Sequence, residues 1–218
     1  MAVNFTNGIR AGLYAVTDTD LLPGDRLFTE VAAALRGGAV IVQYRDKGST
    51  STERLHQAEG LQALCRDAGV PLLINDDTDL ALRVGAAGVH LGQDDTDLAE
   101  ARRKLGDDAI IGATCHGDLS LAKKAVAASA DYVAFGRFFA SGTKPDAVTA
   151  NTQVLTDARA LGVPVVAIGG ITAENGALLV RAGADCLAVV GGLFGTADTE
   201  HQARVLAGLI NQHRPAAF

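Results

Sequence analysis

The chain has 218 residues, of which 48% are hydrophobic and 20% are charged. This hydrophobic content is enough to form the buried core of one domain, so the composition excludes a disordered chain and a small disulfide scaffold. Its 19 Lys and Arg face 25 Asp and Glu, and the resulting net charge of −6 removes the general electrostatic attraction on which nucleic-acid binding depends. No stretch approaches the roughly 18 consecutive apolar residues that a membrane span needs, so we expect neither nucleic acid nor a membrane as partner.

Short apolar runs alternate along the chain with longer stretches of helical periodicity. The runs predict eight buried strands at residues 13–16, 39–44, 72–75, 88–91, 109–112, 132–135, 165–168 and 186–190. The periodic stretches predict helices at 25–35, 52–67, 78–84, 98–105, 119–128, 153–161, 173–181 and 201–211. No linker or change of composition divides the chain, so residues 1–218 are predicted to be one domain.

Eight alternating units favour an α/β fold in which parallel strands and right-handed crossovers close a single (β/α)8 barrel. An open doubly wound sheet is the alternative. That sheet commonly carries a glycine-rich dinucleotide motif after its first strand, whereas this chain has Thr17, Asp18, Thr19 and Asp20 there. The pattern therefore predicts the barrel.

The three cysteines, Cys65, Cys115 and Cys186, are odd in number and too far apart for a zinc signature. The first 20 residues lack a basic start followed by an apolar segment. Both features favour a cytoplasmic protein. The oligomeric state stays open, and a homo-oligomer is compatible with the sequence.

In a barrel the loops after the strands converge at one end, where active sites lie. Three cations, Arg45, Lys47 and Lys144, follow predicted strands in a chain that is acidic overall. They are either solvated surface charges or ligands for a polyanion such as pyrophosphate. Arg45 and Lys47 are two residues apart, so an extended strand end would present both on one face.

Asp76 and Asp95 follow neighbouring predicted strands, with Asn75 beside the first. Two carboxylates together with substrate oxygens are a usual way to hold Mg²⁺. Two alternatives remain: Asp77 or Asp95 caps a helix, or the two carboxylates act as an acid and base pair, a role that adjacent cations would weaken.

Two glycine pairs, 169–170 and 191–192, follow the last two strands, where barrels commonly bind phosphate through backbone N–H groups, although both could be plain tight turns. His90 is expected on or just past a strand, as either a satisfied inward side chain or a catalytic one. Adjacent Cys115 and His116 would point to opposite faces and make a poor nucleophile and base. Lys144 could instead form a Schiff base, but a loop lysine is too exposed for that role.

Six motifs carry a resemblance that spans nearly the whole chain. They are Leu-Tyr-Ala-Val-Thr-Asp at 13–18, Gln-Tyr-Arg-Asp-Lys at 43–47, Ile-Asn-Asp-Asp at 74–77, Gly-Val-His-Leu-Gly-Gln-Asp-Asp at 88–95, Thr-Lys-Pro at 143–145 and Ala-Ile-Gly-Gly-Ile at 167–171. In order and spacing they resemble the thiamine phosphate synthase family. The resemblance implies a transferase of thiamine biosynthesis with a (β/α)8 fold and Mg²⁺ as cofactor.

The implied reaction joins 4-amino-2-methyl-5-(diphosphooxymethyl)pyrimidine to 4-methyl-5-(2-phosphooxyethyl)thiazole and releases pyrophosphate. It is dissociative: pyrophosphate leaves first, and the thiazole nitrogen attacks the resulting cation.

By the same resemblance, Gln43 would face the pyrimidine, Asp76 and Asp95 would bind Mg²⁺, and Tyr44 and Asp46 would belong to the substrate-binding motif. The pyrophosphate would be held by Arg45, Lys47, Asn75, Thr114 and Lys144, of which all but Asn75 are the expected catalytic residues. The thiazole phosphate would be held by Ser141, Gly142, Thr143, Gly170, Gly191 and Gly192. Family members often have Ser at the positions of Thr114 and Gly191, and the roles of Arg137 and His116 are open.

Two rival functions remain at this point. A thiazole tautomerase is a related barrel that binds the thiazole phosphate and transfers nothing, with His116 as a candidate proton shuttle. A non-catalytic sensor of phosphate ligands is the other, since the fold alone does not fix the function. The charged groups Arg45, Lys47, Asp76, Asp95 and Lys144 favour the synthase, because a tautomerase has no pyrophosphate to bind and would bear their desolvation cost.

Overall fold

The computed structural model describes residues 8–93, 95, 97–140 and 150–213. Eight parallel strands form a closed barrel in which each strand pairs with the next and β8 pairs with β1. The strands are β1 Gly12–Val16, β2 Ala39–Tyr44, β3 Leu72–Asn75, β4 Gly88–Leu91, β5 Ile110–Thr114, β6 Tyr132–Phe135, β7 Val165–Ile168 and β8 Cys186–Val189. The predicted (β/α)8 barrel is confirmed, and the open sheet is excluded.

Helices follow the strands and surround the barrel. They are α1 Arg26–Arg36, α2 Ser51–Ala68, α3 Thr78–Val84, α4 Leu98–Leu105, α5 Leu119–Ala127, α6 Gln153–Ala158, α7 Gly176–Ala182, α8 Gly191–Phe194 and α9 Thr199–His213, with a 3-10 turn at Arg159–Leu161. In the parts of the chain that the structure describes, no helix is long and apolar enough to cross a membrane.

The helices depart locally from the predicted elements. Helix α7 begins at Gly176 and not at 173, because Asn175 folds back: its Oδ1 accepts from the Thr172 N–H and its Nδ2 donates to the Gly170 carbonyl, each at 2.9 Å. The predicted helix 153–161 tightens into the 3-10 turn in its last three residues. The glycines at 191–192 open the short helix α8, which the sequence pattern did not predict.

Side chains alternate between two apolar layers along each strand. Residues such as Leu13, Val42 and Val89 face the layer between the barrel and its helices, whereas Ile41, Leu73 and Val166 fill the barrel interior. This alternation places Tyr14 and Tyr132 inside the barrel with almost no exposure. It places Tyr44, which precedes the candidate cations Arg45 and Lys47, in the outer layer.

The barrel interior is shaped to hold the ring of Tyr132. A Cβ on Gly112, which lies on neighbouring β5, would collide with that ring. Only glycine leaves room for the ring at this level of the barrel. Gly112 therefore fixes where the Tyr132 hydroxyl can lie.

Candidate active site

The ends of β2, β3 and β4 bring one ammonium and two carboxylates together. Lys47 Nζ lies 3.2 Å from Asp76 Oδ2, and Asn75 Nδ2 donates to the same oxygen. Burial, the largest effect, and the neighbouring carboxylate of Asp95 raise the pKa of Asp76, while Lys47 opposes the rise. Two carboxylates that meet in this way repel each other unless a cation lies between them.

This arrangement fits a divalent cation held by few protein ligands. Asp76 has a φ of +64°, and Asp95 Oδ2 accepts from the Gly92 N–H at 2.7 Å, so backbone geometry positions both carboxylates. Among the described residues, no group of three or more His, Cys, Asp and Glu side chains forms a complete metal cage. Mg²⁺ commonly takes one or two carboxylates and completes its shell with substrate oxygens and water.

Helix capping is carried out by other acids. Asp77 is the N-cap of α3, where its Oδ1 accepts from Leu80 N at 2.9 Å. Asp97 is the N-cap of α4, where it accepts from the backbone of Ala99 and Glu100. Asp95 caps neither helix, so the capping alternative holds for Asp77 alone.

Arg45 lies at the end of β2 next to the end of β1. Its backbone N–H donates to Thr17 Oγ1 at 2.9 Å, and its guanidinium lies 3.8 Å from Asp18 Oδ2. The Arg45 side chain is 40% exposed and that of Lys47 is 61% exposed. Both cations can therefore reach a ligand at the barrel mouth, and Thr17 anchors the backbone from which they project.

Asp46 and Tyr44 support the loop between those cations. Asp46 is buried, and its Oδ1 accepts from the backbone of Gly48 at 2.8 Å and of Ser49 at 3.0 Å. Burial opposes ionisation there, but the hydrogen bonds from Ser49, Gly48 and Tyr44 lower the pKa of Asp46 overall. The Tyr44 hydroxyl lies 3.0 Å from Asp46 Oδ2 and 2.7 Å from Gln57 Oε1. In this position the two side chains hold the loop in shape.

A buried chain of hydrogen bonds crosses the barrel below these charges. Gln43 Nε2 donates to the Tyr14 hydroxyl at 2.7 Å, which lies 2.8 Å from the Tyr132 hydroxyl. The Tyr132 hydroxyl lies 2.8 Å from His90 Nδ1, and His90 Nε2 lies 2.9 Å from Thr114 Oγ1. The chain joins two predicted site residues, Gln43 and Thr114, through three side chains that carried no predicted role in binding.

His90 is neutral in this environment because burial lowers its pKa to about 4, an effect that the charge of Asp95 only partly offsets. Burial likewise raises the pKa of both Tyr14 and Tyr132, which therefore keep their phenolic protons. The signal that could have identified these residues is their position: all three fall on inward-facing strand positions. A polar side chain in a barrel interior needs a partner there.

The glycines after β7 and β8 differ in the space around them. The Gly170 carbonyl accepts a hydrogen bond from Asn175 Nδ2. Gly170 has a φ of +65°, in the left-handed region that favours glycine. Gly191 is exposed, and in the described part of the chain no atom beyond its chain neighbours and its own helix lies within 4 Å of where its Cβ would be, whereas a Cβ on Gly192 would collide with the Ile171 carbonyl oxygen. Gly191 thus has a backbone open to a ligand, and Gly192 is required by close packing.

The predicted residues Ser141, Gly142, Thr143 and Lys144 lie outside the described part of the chain.

Cys115 is buried, and burial raises the pKa of its thiol to about 12, whereas His116 is exposed with a φ of +49°. A buried neutral thiol is a weak nucleophile. The described site thus offers cations, paired carboxylates and hydroxyl groups, a set suited to holding phosphate charge.

Over most of its length the chain is similar to known proteins of one family. Residues 13–193 match the family model described as "Thiamine monophosphate synthase". The chain is 60% identical over 209 residues to "Thiamine-phosphate synthase" of Marinobacter nauticus, covering 95% of this chain and 94% of that one. It is 56% identical over 197 residues to the protein of the same description from Chromobacterium violaceum, covering 90% and 95% of the two chains.

Among solved structures, the barrel is similar to "Thiamine phosphate pyrophosphorylase" from Pyrococcus furiosus. The TM-score is 0.84 at 30% sequence identity, and the match covers 93% of this chain and 96% of that one.

Proposed function

The chain belongs to the thiamine monophosphate synthase family and has the transferase activity of that family, and we propose that its substrates are the pyrimidine pyrophosphate and the thiazole phosphate named above. In this reaction the thiazole nitrogen forms a bond to the pyrimidine methylene carbon. The bond from that carbon to the pyrophosphate oxygen breaks, and pyrophosphate leaves with the electron pair. The observation that carries the proposal is the group of Lys47, Asp76 and Asp95 at adjoining strand ends.

Arg45 and Lys47 would bind the pyrophosphate, together with Asn75, Thr114 and Lys144. The exposure of Arg45 and Lys47 at the barrel mouth supports this role. A leaving pyrophosphate gains charge on its bridging oxygen as the bond breaks, so fixed cations stabilise the transition state more than the ground state. These residues therefore act by electrostatic stabilisation and need no side-chain nucleophile.

Asp76 and Asp95 would hold Mg²⁺. The fit is supported by their mutual approach and by the raised pKa of Asp76, both of which favour a cation between them. When bound, Mg²⁺ would supply positive charge to the pyrophosphate oxygens. Lys47, next to Asp76, would keep that carboxylate oriented and contribute a second positive charge to the same anion.

The thiazole phosphate would bind at the ends of β7 and β8. The open backbone at Gly191 and the position of Gly170 after β7 support contacts from backbone N–H groups. Gly192 would contribute its N–H from the same turn, and Ser141, Gly142 and Thr143 would complete the pocket. The two anions would then occupy opposite parts of the mouth, with the pyrimidine between them, facing Gln43.

We propose that the reaction is dissociative. The site has two cations and paired carboxylates for the departing anion, and the only histidine in the buried chain, His90, is neutral and engaged at both nitrogens. Such a site favours ionisation of the pyrimidine substrate before the thiazole nitrogen attacks. Gln43 would orient the pyrimidine ring during this step.

The proposed substrates can be tested with purified protein, both substrates and Mg²⁺. We expect thiamine phosphate and pyrophosphate in equal amounts, with neither formed when one substrate is left out. A thiazole tautomerase would instead convert the thiazole phosphate in the absence of the pyrimidine, and a sensor would bind ligand without turnover. Either result would contradict the proposal.

A further inference from the structure

The donor and acceptor of each hydrogen bond in the buried chain can be assigned by counting the protons of its five side chains. The chain has four hydrogen bonds, at 2.7, 2.8, 2.8 and 2.9 Å, and each needs one proton between its two atoms. Tyr14 is 1% exposed and Tyr132 is 0% exposed. A buried phenolic proton that lacks an acceptor is energetically unfavourable at either position. The lowest-energy arrangement therefore gives every proton of the two phenols an acceptor.

The Gln43 amide fixes the first step, because Nε2 can only donate and its proton goes to the Tyr14 oxygen. Tyr14 then donates to Tyr132, and Tyr132 donates to His90 Nδ1. His90 must consequently carry its proton on Nε2, from which it donates to Thr114 Oγ1. If His90 were protonated on Nδ1 while Gln43 keeps this orientation, Gln43 would donate to the Tyr14 oxygen and His90 would donate to the Tyr132 oxygen. Only one of the two phenols could then donate to the other, and the second phenolic proton would lose its acceptor.

We propose that the hydrogen bonds of this buried chain all run in one direction, from Gln43 to Thr114, and make the Thr114 hydroxyl a dedicated donor to the substrate anion. This inference rests on the proposed function. Thr114 Oγ1 already accepts from His90, and among the described residues its side chain has no other hydrogen-bond partner. Its own proton is therefore available at the end of β5, toward the barrel mouth. Tyr14, Tyr132 and His90 are positioning residues that act through Thr114 and Gln43.

The direction suits both ends of the chain. At one end, Nε2 of Gln43 is engaged by Tyr14, which leaves Oε1 to accept from the amino group of the pyrimidine. At the other end, the hydroxyl of Thr114 donates to an oxygen of pyrophosphate. Reversing the chain would require the Gln43 amide to turn over, and Thr114 would then present only lone pairs to the anion, which is unfavourable.

The direct test is the protonation of His90 in the substrate-free protein, measured by ¹⁵N NMR of histidine-labelled material. We expect a single tautomer with the proton on Nε2. A proton on Nδ1, or on both nitrogens, would overturn the inference. Because no substrate is present, this result does not depend on whether the proposed reaction is correct.

A variant pair then tests whether Tyr132 imposes the tautomer. Tyr132→Phe removes the donor to Nδ1, so we expect His90 to lose its single tautomer. Tyr44→Phe is the matched control, since it removes a buried phenol that faces the helix layer and takes no part in the buried chain of hydrogen bonds. It should leave the His90 tautomer unchanged. A pure Nε2 tautomer in Tyr132→Phe would contradict the inference.

The kinetics of Thr114 variants, in the wild-type and in the Tyr132→Phe background, provide a second readout. Thr114→Val keeps the shape of the side chain but loses the donor, and we expect kcat to fall on the order of 10²-fold, whereas Thr114→Ser should restore most of it. In a Tyr132→Phe background the hydroxyl is free to turn to His90, so the same Thr114→Val change should cost at least several-fold less. Equal losses from Thr114→Val in both backgrounds would contradict a chain that acts through Thr114.

Discussion

The ammonium of Lys47 lies 3.2 Å from Oδ2 of Asp76 and joins the end of β2 to the end of β3. Lys47 is 61% exposed, so this ion pair adds little to stability. The ion pair instead positions a positive charge beside the carboxylate of Asp76, which also interacts with Asp95. The site thus holds groups that are better suited to a bound anion and cation than to the free protein.

The first prediction follows from the raised pKa of Asp76. Burial and Asp95 make ionisation of this side chain less favourable in the folded chain than in the unfolded one. Ionised Asp76 therefore reduces stability near neutral pH, and this loss disappears as the pH falls below its ordinary pKa of 3.8. Asp76→Asn should therefore make the metal-free protein modestly more stable at neutral pH, because a neutral side chain avoids this cost.

Thermal unfolding in chelator, at neutral pH and near pH 3, measures this effect. Mg²⁺ should raise the Tm of the wild type and have little effect on Asp76→Asn, since the variant lacks one of the two carboxylates. If the metal-free variant is less stable than the wild type at neutral pH, the ion pair of Asp76 with Lys47 stabilises the fold and the prediction is wrong.

The second prediction concerns Asp95, for which the chain supplies a matched control two residues away. Asp95→Asn should lower kcat by about 10²-fold or more and raise the Mg²⁺ concentration needed for half activity, because the variant removes a carboxylate that we propose as a ligand to the metal. Asp97→Asn changes the N-cap of α4 and should leave both quantities unchanged, since an asparagine oxygen caps a helix about as well as a carboxylate. Equal Mg²⁺ requirements in Asp95→Asn and the wild type would remove Asp95 from the metal site.

The third prediction separates binding from packing at adjacent glycines. Gly191→Ala has room for its methyl group, so we expect the stability to be kept and the KM for the thiazole phosphate to rise on the order of tenfold as the backbone N–H is obstructed. Gly192→Ala should instead lose about 1–3 kcal/mol of stability, since its Cβ meets the Ile171 carbonyl. Denaturant unfolding and steady-state kinetics on both variants distinguish the two effects. An unchanged KM in Gly191→Ala would exclude the proposed contact.

The strand pattern was readable from the sequence because strands buried on both faces give continuous apolar runs. Five predicted strands, among them Ala39–Tyr44 and Val165–Ile168, have the bounds that the structure gives them. The charged residues at the strand ends were readable for the same reason, since a parallel barrel gathers those ends on one side. Asp76, Lys47 and Asp95 meet as the topology requires.

The buried chain was not readable in the same way. Tyr14 and Tyr132 are 118 positions apart, and nothing local in either strand shows that their hydroxyls meet. Their contact depends on the closure of the barrel and on the space left by Gly112, which are properties of the whole fold. Helix α8 was missed because a glycine pair indicates a turn, whereas in the structure these glycines begin a short helix whose Leu193 and Phe194 are buried.

We propose that the site works by stabilising a departing pyrophosphate and not by supplying a base or a nucleophile. The most direct test is single-turnover kinetics with a pyrimidine substrate whose methyl group is replaced by an electron-withdrawing group, under conditions where chemistry limits the rate. We predict nearly unchanged binding and a sharply lower rate, because the intermediate cation loses electron density while Arg45 and Lys47 act only on the leaving anion. Equal rates for the normal and the electron-poor substrate would contradict the account.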